Sequence, residues 1–269
     1  MSFLGLEIGT RLRRRPDASG LEFGACGAIA VSEQHRLRLA GPLTLTYGGA
    51  EWERKMATYG GSLQCAGASI GAHRHICAFF NGLDEEYRVL GSFYKDGLDR
   101  GEKATHIVDA ETREEYLKRL GETGIDVKGM MQTGQLEVLP WTDMYVRDQR
   151  FDQDAMLASV EEIIQSGAGA GYARTRLVGH HMDWLFRDEP AVKNLVEYEA
   201  RLNNLLSRYD DPVVCNYDLS KFGASVALDI MRTHPLVIIG GILRENPFFI
   251  PPEQYLEEVR ARRSSPTAR

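Results

Sequence analysis

Hydrophobic and polar positions along the chain change period repeatedly, and from His73 onward the changes become regular. A short apolar run, Ile76 to Phe80, meets the turn signal Asn81-Gly82, and apolar residues then recur at helical spacing as far as Gly97 and Gly101. A second β-rich run spans Ala104 to Asp109. Apolar run, turn, periodic segment and second apolar run predict a βαβ unit.

The alternation continues downstream. An amphipathic helix is expected from Thr112 to Thr123 with Gly124 at its C-cap, a strand at Leu136 to Trp141, and a helix at Asp152 to Gln165 closed by a GAGAG loop. Arg176 to Met182 reads as a strand, about Glu189 to Ser207 as a long helix, and Val213 to Tyr217 as a strand. Ser220 caps a helix running to Arg232, and Leu236 to Ile239 forms a further strand. Strands alternating with helices of this length predict an α/β fold of three layers, αβα, with a mostly parallel sheet. Residues 1–72 are glycine-rich and hold one alternating run, Leu43 to Tyr47, so they are expected to form an irregular N-terminal extension. Residues 258–269 are expected to fray.

The first strand–turn–helix junction is where a nucleotide-binding fold places its phosphate loop. Such a loop needs several glycines, a Lys for the phosphate oxygens and a Ser or Thr for magnesium. Here Gly82 is followed by Asp84, Glu85 and Glu86. Carboxylates at a helix N-terminus suit the helix dipole by about 0.3 to 1 kcal/mol each and repel a phosphate. The junction therefore reads as a degenerate phosphate loop whose anion site is filled by its own side chains.

Composition narrows the function classes. The chain of 269 residues has a net charge of −6, and its hydrophobic share of 43% and charged share of 26% are those of an ordinary globular protein. Residues 1–74 carry 9 Lys/Arg against 6 Asp/Glu, and the remainder 23 against 32. An acidic body argues against nucleic acid as a partner. Cys26, Cys65, Cys77 and Cys215 show no C-x-x-C spacing, so a reducing cytoplasm is expected. No apolar run reaches the roughly 18 residues of a membrane span.

In a parallel sheet, ligands bind outside the carboxyl ends of the strands. That edge collects Phe79, Phe80, Asn81, Asp109, Glu111, Trp141, His180, His181, Asp183, Trp184 and Tyr217, a rim rich in aromatics that suits a small, partly apolar ligand. Glu199 falls on the apolar stripe of the long helix and needs a buried partner, with Arg176 or the His180-His181 pair as candidates. His73, His75 and Cys77 alternate on one strand face in a pattern that can hold zinc, but no fourth ligand lies near in sequence, and core packing is the expected role. Cys215 shares a face with Tyr217 and is read as packing; His234-Pro235 is read as a turn device.

Taken in order, HICAFF, FYKDGLDRGEKATHIVD, GQLEVLPW, RLVGHHMDW, EYEARLN, VCNYDLSKF, RTHPLVIIGG and ENPFFIPP resemble the MEDS domain, a sensory domain of methanogens and methylotrophs, over about residues 73–257. The resemblance implies a RecA/KaiC-like fold serving as a ligand sensor. It also implies a magnesium-holding position near Asp183 or His180 and a catalytic position near Glu111. Without a phosphate-loop Lys, Glu111 has no γ-phosphate to work beside.

The reading is a non-enzymatic cytoplasmic sensor that binds a small organic ligand, such as a methylated or halogenated hydrocarbon, and signals by protein contact. No cofactor and no metal are expected. Expected partners are that ligand and a signalling protein such as a kinase or sigma-factor regulator, with a homodimer as a further association; neither nucleic acid nor a membrane is expected. The alternatives are a residual nucleotide binder or weak ATPase, and a scaffold without ligand.

Overall fold

The computed structural model describes residues 63–143, 146–147, 150–180, 183–186 and 188–264; the expected strand at Leu43 to Tyr47 lies outside them. A short antiparallel pair, β1 (Gln64–Cys65) and β2 (Ala68–Ser69), comes first. The expected extension thus gives way to ordered chain before His73, because Leu63, Cys65 and Ile70 are buried against the core.

The main sheet contains β3 (His75–Phe80), β4 (Lys103–Val108), β5 (Leu136–Pro140), β8 (Thr175–His180), β9 (Val213–Asp218), β10 (Leu236–Ile239) and β11 (Ile242–Glu245). A small pair, β6 (Val146–Arg147) and β7 (Arg150–Phe151), stands apart from it. The order is β11-β10-β3-β9-β8-β4-β5, parallel throughout except for the β10–β11 hairpin. Every residue of β3 and β4 is buried, as covering layers on both faces require.

The helices are α1 (Leu83–Asp99), α2 (Arg113–Glu122), α3 (Val127–Gln132), α4 (Gln153–Gly169), α5 (Glu189–Leu206), α6 (Ala224–Met231) and α7 (Pro252–Ser264). Connections from β3 and β4 run one way along the sheet and those from β5, β8 and β9 run the other. Right-handed crossovers then place α1 to α3 on one face and α4 to α6 on the opposite face. The two cores follow this division. Leu90, Phe93, Tyr116 and Leu120 pack on one face with Ile76, Ala78 and Phe80. Val160, Leu195, Leu202, Ile230 and Tyr255 pack on the other with Cys77, Phe79 and Tyr217.

Several boundaries differ from expectation for physical reasons. Helix α4 continues through the first glycines of GAGAG, because a side chain at Gly167 would meet Thr175 Oγ1 at 2.1 Å, so a glycine there lets helix and strand approach. Helix α6 starts at Ala224 instead of near Ser220, whose N–H is taken by Asp218 Oδ1 at 2.9 Å in a turn. Trp141 leaves the sheet in a 3-10 turn, Trp141–Asp143. Helix α3 and strand β11 were not expected. The segment expected to fray is helical to Ser264, anchored by buried Tyr255.

Candidate functional site

Two neighbouring strand pairs, β3/β9 and β8/β4, send their outgoing chains to opposite faces. In open α/β sheets, diverging connections of this kind mark the place at the carboxyl edge where ligands bind. On the α1 face of this edge, buried Glu86 lies 3.9 Å from half-buried His180, whose Nδ1 lies 3.4 Å from the Asn216 amide nitrogen. The three first-turn acids of α1 have separate duties. Asp84 pairs with Arg119, Glu85 accepts the Asn81 N–H at 3.0 Å, and Glu86 turns inward.

On the opposite face the edge is aromatic. Phe79 and Tyr217 are buried with ring centroids 5.6 Å apart; Phe222 lies 6.4 Å from Phe79 and 6.1 Å from Tyr217, and Phe186 lies 4.7 Å from Phe222. Phe186 and Phe222 are partly exposed, so the cluster runs from the core out to the surface.

Beneath this wall lies a buried polar centre drawn from four separate elements. Tyr217 donates its hydroxyl to Glu199 Oε1 at 2.6 Å. Glu199 Oε2 faces His75 Nε2 at 3.1 Å, His234 Nε2 at 3.4 Å and Cys215 Sγ at 3.5 Å; Cys215 Sγ also lies 3.4 Å from His75 Nε2. One donor atom from each of His75, Glu199, Cys215 and His234 lies within 4.8 Å of the others, and all four residues are buried. Strand register explains the meeting: β3 and β9 pair Cys77 with Cys215, so His75 and Cys215 project toward the same helix, α5, which carries Glu199.

The surroundings orient the rings. His75 Nδ1 lies 3.1 Å from Asn203 Oδ1, and the Asn203 amide nitrogen donates to the carbonyls of Glu199 (3.0 Å) and Thr233 (2.7 Å), so its oxygen must face the histidine. His234 Nδ1 lies 2.8 Å from the Ile230 carbonyl. In the neutral form of either ring the proton therefore sits on Nδ1, and Nε2 presents a lone pair to the centre. Burial, then the neighbouring His234, holds His75 down to about 4, so it is neutral at pH 7. Burial and then Glu199 push the Cys215 thiol well up, which makes it a poor free nucleophile.

The expected site residues divide accordingly. Glu199 and Tyr217 join the buried centre, and Phe79 and Tyr217 the aromatic wall. Phe80 packs on the other face, against α1. Asn81 and Glu111 are exposed and Asp109 half-exposed, its Oδ1 accepting the Glu111 N–H at 3.0 Å. Trp141 is partly buried at the end of β5. Asp183 and Trp184 belong to a 3-10 turn, Asp183–Phe186, while His181 lies outside the described residues.

Two expectations about partners are corrected. Glu199 is met by two other histidines, His75 and His234, while His180 lies beside Glu86. Arg176 faces α1 and the turn that follows it, binding Asp96 on the helix at 2.7 Å and Glu102 beyond its end at 2.5 Å. Of the alternating triplet, His73 is exposed and Cys77 Sγ turns to the Leu236 carbonyl at 3.6 Å; His75 alone reaches the centre. Cys215 was expected to pack and His234 to serve a turn; for Cys215 the face it shares with Tyr217 was the one signal toward the centre.

Residues 74–235 match the family model described as MEDS, MEthanogen/methylotroph, DcmR Sensory domain. No curated protein matches the chain significantly.

Proposed function

The chain belongs to the MEDS family of sensory domains, and we propose that it is a sensor that binds a small apolar organic molecule, a methylated or halogenated hydrocarbon among them, against the aromatic wall of the carboxyl edge. The observation that carries this reading is the cluster of Phe79, Tyr217, Phe222 and Phe186, which runs from the sheet to the surface beside a topological switch point. Aromatic faces with few polar groups favour an apolar ligand over a polyphosphate. Glu85, turned onto the Asn81 N–H, further supports a ligand other than nucleotide. The domain binds without turnover and passes the signal by contact with a second protein, such as a kinase or sigma-factor regulator, in the cytoplasm. The parallel sheet and the lone phosphate-loop glycine, Gly82, support a degenerate RecA/KaiC-like origin.

A thermal-shift screen against two panels tests the reading, one of nucleotides with magnesium and one of small methylated, halogenated or aromatic compounds. A compound at a hundredfold excess over its Kd stabilises the folded state by about 2.7 kcal/mol. Stabilisation by an organic compound, lost in Phe222→Ala, is the expected result. Stabilisation by nucleotides alone, or a flat response to both panels, overturns it.

A further inference from the structure

Going beyond the organic-ligand reading, we propose that His75, Glu199, Cys215 and His234 form a transition-metal site, with zinc(II) the ion their donors fit best. Four residues of three zinc-ligating types converge in one buried place, and tetrahedral zinc bonds of about 2.0 to 2.3 Å separate ligand atoms by about 3.3 to 3.8 Å. Four of the six separations are 3.1, 3.4, 3.4 and 3.5 Å and all six lie within 4.8 Å, so a small closing movement of the donors brings them to that spacing.

Hydrogen bonding makes the case stronger than proximity does. Asn203 and the Ile230 carbonyl hold both imidazoles with Nε2 lone pairs pointing inward, toward a carboxyl group and a sulfur. His234 Nε2 is fully buried and makes no hydrogen bond although it is aimed at Glu199. The Cys215 thiol donates to Glu199 Oε2 at 3.5 Å, which leaves the His234 Nε2 lone pair without a donor, and a buried acceptor in that position is costly unless something positive stands beside it. Outer partners of this kind, an amide oxygen and a backbone carbonyl on the far ring nitrogens, also orient metal-bound histidines. Tyr217 does the same for Glu199 through the oxygen that faces away.

Charge selects the ion. When the metal binds, the Cys215 thiol releases its proton to solvent as the metal–sulfur bond forms. One thiolate and one carboxylate with two neutral imidazoles balance a divalent cation to zero net charge, the condition for stable burial. A mixed nitrogen, sulfur and oxygen set at tetrahedral spacing suits zinc or cobalt(II) better than the oxygen-seeking magnesium or calcium. All four positions come from protein, so the site is closed and structural in character. It ties β3, β9, α5 and the turn before β10 to a single point. A surface cleft of about 420 Å³, lined in part by His73, Arg74, His75, Asn203 and Pro235, gives access from the amino edge.

The experiment uses the full chain, stripped with a chelator, reloaded with zinc or cobalt(II) and freed of excess ion. The expected result is one metal per chain by elemental analysis, a thermal midpoint raised by zinc, and a cobalt spectrum with intense tetrahedral bands and a thiolate charge-transfer band. The charge-transfer band disappears in Cys215→Ser and persists in Cys77→Ser, whose sulfur turns away, and in His73→Ala, whose ring is exposed at the cleft. Folded wild-type protein that takes up no metal, or cobalt without the thiolate band, overturns the proposal. So does a thiolate band that survives in Cys215→Ser. These readouts involve no organic compound, so they stand or fall apart from the ligand screen.

Discussion

The Tyr217 hydroxyl donates to Glu199 Oε1 at 2.6 Å, and this bond joins the aromatic wall at the sheet's carboxyl edge to the buried polar centre below it. Tyr217 has its ring in one environment and its oxygen in the other. Tyr217→Phe keeps the ring and removes the bond. A hydrogen bond to a carboxyl group in this setting is worth about 1.5 to 3 kcal/mol, and urea unfolding is expected to show a loss of that size. A loss below about 0.5 kcal/mol contradicts the coupling.

Gly97 and Arg176 approach closely on the α1 face. A side chain at Gly97 would lie 2.4 Å from Arg176 Nε, and that guanidinium is held by Glu102, Asp96 and the Phe93 carbonyl. Alanine in a helix gains about 1 kcal/mol over glycine in propensity, yet Gly97→Ala is expected to destabilise by about 1 to 3 kcal/mol through overpacking. Gly169→Ala is the control, because nothing lies within 4 Å of its added carbon. It is expected to be neutral or to stabilise by up to about 1 kcal/mol, and chemical denaturation of the two variants side by side separates them.

Asp211 links pH to stability. Burial raises its carboxyl to about 6, against the opposing Thr175 N–H, which donates to Oδ1 at 2.6 Å. The folded state therefore holds this proton more tightly than the unfolded chain does. Its contribution is complete below the unfolded value of 3.8 and is lost as pH rises through about 6. The full swing is at most about 3 kcal/mol. Asp211→Asn keeps the acceptor and removes the titration, so its stability measured from pH 4 to 7.5 is expected to run flatter than the wild type's. Parallel profiles would refute this assignment.

His106 is fully buried, with neither ring nitrogen hydrogen-bonded, between Tyr94 at 5.7 Å and Tyr116 at 4.2 Å. Burial, then His180, pushes it well below the usual histidine range, so it is a neutral ring whose polar atoms are unsatisfied. Replacing such a group by an apolar one of similar size is nearly neutral or stabilising. His106→Leu is expected to keep stability within about 1 kcal/mol of wild type or raise it. A drop of 2 kcal/mol or more would show that the imidazole has an unrecognised partner.

The alternation of strands and helices was legible in the sequence because each element's periodicity is local. HICAFF reads as a doubly covered strand without knowledge of its neighbours, and Asn81-Gly82 reads as a turn because Gly82 can adopt φ 96°. The need of Glu199 for a buried partner was equally legible, since a carboxyl on an apolar helix face requires one. Which partner it finds was not legible. The sequence pointed to Arg176 or the His180-His181 pair, and nothing in it marked His75 or His234 for that role.

By itself the sequence determined a three-layer α/β domain, its parallel strands, an edge rich in aromatics and membership of a sensory family. Only the tertiary structure decided that residues 75, 199, 215 and 234 meet. Their proximity depends on β3 pairing with β9 while α5 crosses one particular face, and on the turn that brings His234 beside His75 at a ring separation of 4.0 Å. Those are contacts across more than a hundred residues of chain, set by sheet order and crossover handedness, and no local pattern of residue types encodes them.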